Sequence, residues 1–134
     1  MVEVPLLSEK RALQACIAAA GLVGVVGGGW GALHAPGLGA EAASHARYLS
    51  GLLLAIGLVS WTTLPDIARK GHRLRLLAAL VAIGGLCRLL GVALGDIASW
   101  QVVAALVMEL VVTPLLCLWQ SRAAAALATT TGEA

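Results

Sequence analysis

LRLLAALVAIGGLCRLLGVALG, residues 74–95, and WQVVAALVMELVVTPLLCLWQ, residues 100–120, decide the fold. A helix needs about 20 mainly apolar residues to cross a hydrocarbon core, and each stretch supplies them. Each also carries a charge in its interior, Arg88 in the first and Glu109 in the second. An ionised group at the centre of a bilayer costs about 2.5–3.5 kcal/mol on insertion scales, so each residue is expected to face protein and find a partner. At 1.5 Å per residue Arg88 stands ~22 Å along its helix from Arg73, and Glu109 stands ~20 Å from Arg122. The turn between the stretches, around Asp96 and Ser99, is short, which makes the two helices antiparallel neighbours. Arg88 and Glu109 are therefore expected to pair, with Arg88 on a face lined by Gly84, Gly91 and Gly95.

The rest of the chain fits the same architecture. Of its 134 residues 60% are hydrophobic and 12% charged, a membrane composition with room for one domain, residues 1–134. A net charge of +2, gathered at helix ends, argues against a nucleic-acid surface. Residues Met1 to Glu9 are read as a surface segment ahead of helix 1. The spacing predicts helices over about 11–33, 45–64, 74–95 and 100–121, with Ser44 as the cap of the second, Pro65-Asp66 as its stop, and a fraying tail after Ala123. The run after Lys10-Arg11 is too long for a secretory leader core and is read as a spanning helix. The expectation is an all-α integral membrane four-helix bundle.

Within helix 1, Ala20, Gly24 and Gly28 recur every fourth residue and form a small-residue ridge for close helix packing, read first as intrachain. Lys10, Arg11, Arg69, Lys70, Arg73, Arg75 and Arg122 flank one side of the predicted membrane, while the loop from Ala35 to Ser44 has neither lysine nor arginine. The positive-inside rule then puts both termini in the cytoplasm. Trp30 and Trp100 are expected at the outer interface, Trp61 and Trp119 at the inner one. Cys16, Cys87 and Cys117 lie in apolar runs without a CxxC pair and are read as small buried side chains.

Polar residues narrow the chemistry. Arg47, near the predicted outer end of helix 2, either snorkels beside Tyr48 or turns inward to Glu109, Asp96 or Glu41. Pro114 removes the hydrogen bond to the carbonyl of Leu110, so a kink is expected beside Glu109. No HExxH, no paired histidines on one helix face and no Ser/His/Asp set occurs at membrane depth, so no catalytic residue, metal or cofactor is assigned.

Three stretches, HARYLSGLLLAIGL (45–58), RLRLLAALVAIGGLCRLLG (73–91) and MELVVTPLLCLWQ (108–120), resemble a bacterial family of small four-helix inner-membrane proteins of unknown function. Arg47 to Gly51, Arg88, and Glu109 with Thr113-Pro114 carry the resemblance, and the layout is similar to the DoxX-like group. The resemblance implies four helices and a multi-pass inner-membrane location. It supplies no reaction.

The first functional reading is a non-enzymatic accessory or structural subunit of a larger membrane assembly, partnered by the lipid bilayer, by other membrane proteins or by copies of itself. The second is a binder or carrier of a small amphiphile or anion, with Arg47, Arg88 and Glu109 as ligand residues and Tyr48, Asp96, Thr113 and Pro114 in support. An intramembrane enzyme using Glu109 as acid or base ranks last. For the ion pair itself, fixing helix register is placed ahead of function.

Overall fold

A computed structural model describes residues 3–34, 37–67 and 69–131, with side chains from 8 to 126 within those ranges. The described chain is all-α, without a strand. Its elements are α1 (Glu3–Leu33), α2 (Ala40–Trp61), α3 (Gly71–Ala93), α4 (Trp100–Val107), a π-helical turn (Met108–Val112) and α5 (Thr113–Thr131), the last three continuous. Four helical stretches, Ser8–Leu33, Ala40–Trp61, Gly71–Ala93 and Trp100–Ala126, are long and apolar enough to cross a membrane. This is the pattern of a multi-pass membrane protein.

Several boundaries differ from expectation. Helix α1 starts at Glu3, so most of the predicted surface segment is helical. Pro5 falls in its first turn, where a missing N–H breaks no intrahelical bond. Met1, Val2, Ala35 and Pro36 lie outside the described residues. Helix α2 starts at Ala40, with Gly39 as its cap, and Ser44 sits exposed inside it. The helix-forming run Ala40-Glu41-Ala42-Ala43 outweighs the capping preference of a serine. Helix α2 stops at Trp61, ahead of Pro65, and α5 continues through the alanines to Thr131. The tail beyond Thr131 lies outside the described residues.

The chain divides into two compact units. Gln14–Pro65 form one, an antiparallel pair made by α1 and α2. Its seam runs Ile17, Gly21, Gly24 and Gly28, all buried, at spacings of three and four residues. A Cβ added at Gly24 would stand 3.1 Å from Gly57 Cα, and one at Gly28 would strike the backbone of Leu54 and Ser50. Gly21 faces Gly57 and Trp61, and Gly31 faces Ser50. Backbones approach this closely only where side chains are absent. Ala20 is only half-buried beside this seam. Trp61 donates from Nε1 to the carbonyl of Ala18 at 3.0 Å, so it locks the pair as well as marking a helix end.

The other unit holds the chain up to Leu13 and from Asp66 onward, with α3 packed along α4, the π turn and α5. Leu74, Leu77, Ala78 and Gly85 form the buried stripe of α3. Gln120, 2% exposed, donates from Nε2 to the carbonyl of Ile67 at 2.7 Å. Gln14 does the same for Leu64 at 2.7 Å in the first unit. Each amide satisfies a carbonyl of the non-helical link before α3 that would otherwise be left open. Cys16 and Cys87 are exposed and Cys117 is half-buried, against the expectation that all three are buried. An apolar thiol faces lipid at little cost, so burial is not required of it.

Candidate functional site

Helix α3 ends in a Schellman motif. The Gly95 N–H donates to Val92 and the Asp96 N–H to Gly91, both carbonyls, and Gly95 takes φ +109°, which suits glycine. Asp96 folds back so that its carboxylate lies over Gly91. Arg88 stands five residues inside this end, ~8 Å by helical rise.

Glu109 enters from the facing rod, nine residues beyond Trp100, or ~14 Å. It lies in the π turn. Pro114 has no N–H to offer Leu110, and the chain changes register just before it: the Thr113 N–H reaches the carbonyl of Met108, an i to i−5 bond. The Thr113 hydroxyl donates to the same carbonyl at 2.8 Å. The disturbance expected from Pro114 therefore takes the form of a π turn with the acid inside it.

The two helices meet where Gly85 has no side chain. A Cβ there would lie 2.9 Å from Glu109 Cβ and 2.9 Å from Leu110 Cδ2. One turn along, Arg88 donates from Nε to Glu109 Oε2 and from Nη2 to Oε1, both at 3.2 Å. This is a side-on fork, with both carboxylate oxygens accepting. The expected ion pair is thus present, 44% exposed on the Arg88 side chain and 19% on Glu109.

A guanidinium carries five N–H donors, of which two serve Glu109, so three have no acceptor among the described residues. At membrane depth, donors without acceptors are costly. Gly84, one turn before Arg88, is exposed, and an added Cβ there would meet nothing within 4 Å. It leaves a notch on the surface of α3.

The remaining candidate residues are distributed otherwise. The glycines predicted to share a packed face with Arg88 do not: Gly84 is open, Gly91 lies under Asp96, and Gly95 is outside the helix. Arg47 belongs to the first unit, where it is exposed and, because α2 starts at Ala40, lies two turns inside the helix. No ion pair joins it to Glu41 among the described residues, Glu109 and Asp96 belong to the other unit, and Tyr48 beside it is exposed. Thr113 and Pro114 adjoin Glu109 through the π turn. No cluster of three metal-ligating side chains occurs among the described residues. Gly85 and the π turn are the features that sequence reasoning missed. The Thr-Pro pair four residues past Glu109 was the available signal.

A family model described as a domain of unknown function (DUF4345) matches residues 6–120, so the chain belongs to that family. No curated protein and no solved structure matches it.

Proposed function

We propose that this DUF4345 protein binds the polar head of a small amphiphile within the membrane, at the Arg88–Glu109 pair. One observation carries the reading. The guanidinium is held in a fixed plane by Glu109, yet 44% of its side chain is uncovered and three of its donors have no acceptor among the described residues. A pair serving register alone is best enclosed by its own helices, where its donors meet protein acceptors. The Gly84 notch offers room for an apolar chain beside the head. In this proposal both termini are cytoplasmic, from the basic helix ends, and the membrane is a bacterial inner membrane, from the family resemblance.

The test is mass spectrometry of the protein released from lipid nanodiscs loaded with a total lipid extract. The wild-type chain is expected to retain a small molecule that Arg88→Met and Gly84→Leu lose. Equal retention by all three, or none by the wild type, removes the proposal.

A second reading, the accessory subunit, is favoured by glycines with open space around them, the half-buried Gly29 on α1 and Gly51 on α2 as well as the exposed Gly84. Another chain's helix can approach closely at such positions. Recovery of a stoichiometric polypeptide in gentle detergent, with no small molecule, would select it.

A further inference from the structure

We infer that the head bound at Arg88 is uncharged and presents a carbonyl oxygen, so the ligand is a neutral carbonyl-bearing amphiphile and not an anion; this rests on the amphiphile reading above. The local charge sum is the first ground. Arg88 is already matched by Glu109 through two parallel bonds. Asp96, its carboxylate over Gly91 three residues from Arg88, adds another negative group. No lysine or arginine lies between Arg75 and Arg88, or between Trp100 and Gln120, to offset it. An incoming anion would add charge to a site that is balanced or negative, in surroundings where unpaired charge is costly.

Donor geometry is the second ground. Arg88 uses the Nε/Nη2 edge for Glu109, which leaves the Nη1/Nη2 edge with two parallel N–H bonds and no lone pair. Such an edge recognises an acceptor and rejects a donor-only head such as an ammonium. A carbonyl oxygen, with two lone pairs, accepts both bonds without bringing charge. The third ground is shape. Gly85 is filled by Glu109 and Leu110, whereas Gly84 is open, so the chain behind the carbonyl runs past Gly84 on the free side of α3.

Such a carbonyl has two sources, a dedicated amphiphile or the ester groups of bilayer phospholipid, and the experiment separates them. The protein is placed in nanodiscs of ether-linked phospholipid, which lack ester carbonyls, and titrated with 2-heptadecanone carrying a ¹³C carbonyl, with palmitate in a parallel series. The ketone resonance is read by NMR, clear of protein carbonyl signals. The wild type is expected to shift it saturably and to bind palmitate about tenfold more weakly, a difference of about 1.4 kcal/mol. Glu109→Gln, which removes the compensating charge, is expected to reverse that preference. Gly84→Leu, which leaves the ion pair intact, is expected to abolish the shift, and Arg88→Lys, which keeps the charge but loses the two-point edge, to weaken it.

Palmitate binding as tightly as the ketone, or a shift unaltered in Arg88→Lys and Gly84→Leu, overturns the inference while leaving an amphiphile site in place. Failure of every probe, together with no retained lipid from the total extract, removes the amphiphile reading itself. Competition by ester-linked phospholipid identifies the bilayer's own ester carbonyl as the occupant and keeps the assigned chemistry.

Discussion

Replacing Gly85 with alanine should separate the ion pair, and the size of the effect can be worked from the packing. The new methyl would stand 2.9 Å from Glu109 Cβ, against an ordinary contact of 3.4–4 Å, so the helices must part by about half an ångström. Each Arg88–Glu109 bond, now 3.2 Å, would stretch past the range in which such contacts count as hydrogen bonds. Overpacking costs about 1–3 kcal/mol, and the weakened charged bonds about 1.5–3 kcal/mol. Alanine's higher helix propensity returns up to about 1 kcal/mol. The net expectation is a destabilisation of about 1.5–5 kcal/mol. Gly84→Ala is the matched control, because its methyl meets nothing within 4 Å and keeps only the propensity gain. Unfolding in mixed micelles, followed by tryptophan fluorescence, compares the two. Stabilities within about 0.5 kcal/mol of each other would refute the close approach at Gly85 and the geometry built on it.

In the first unit, Gly28→Ala should be far more disruptive than Gly29→Ala, because the former strikes the backbone of Leu54 and Ser50 while the latter enters open space; thermal unfolding reads the difference. Gln120→Leu should cost about 1–3 kcal/mol by leaving the Ile67 carbonyl buried without its donor, and an unchanged midpoint would show that the amide is dispensable. Arg88→Met and Glu109→Leu together should destabilise less than the sum of the single changes, with a coupling of about 0.5–3 kcal/mol in a double-mutant cycle; strict additivity would mean that the pair does not form. Thr113→Val, which removes the hydroxyl bond to Met108, should cost about 1 kcal/mol and speed amide exchange through the π turn.

The four spans were legible because their apolar runs match a bilayer's thickness, and the Arg88–Glu109 pairing was legible because two isolated charges stood at similar depth on neighbouring helices. Other features failed for physical reasons. In α3 nearly every side chain is apolar, so hydrophobic periodicity cannot say which face meets protein. Arg88, Gly84 and Gly91 read as one packed stripe, while the contact falls at Gly85, about 100° around the helix from Gly84. The ridge in α1 was read at a spacing of four, Ala20-Gly24-Gly28, whereas an antiparallel seam alternates three and four and uses Gly21 instead. In the turn around Glu109, one wider loop of hydrogen bonding shifts the phase of everything before it. Residue spacing alone does not show that shift.

What remains to be explained is why a chain of this size keeps three locally unfavourable choices around one acid. A glycine in mid-helix, a proline in mid-helix and a π turn each lower helix stability, and all three fall at Glu109: Gly85 against its Cβ, Pro114 following the turn, and the turn itself. If only a fixed register were needed, well-packed leucines would hold the helices together at least as well as the pair does. Gly85 lets the backbones close, the missing N–H of Pro114 accompanies the change of register, and the π turn holds the carboxylate where it fixes the plane of Arg88. The surplus left by this arrangement is an oriented, half-covered edge of N–H donors. Local rules broken together at one point mark a site more often than a scaffold, which is why the binding reading is preferred to a purely structural one.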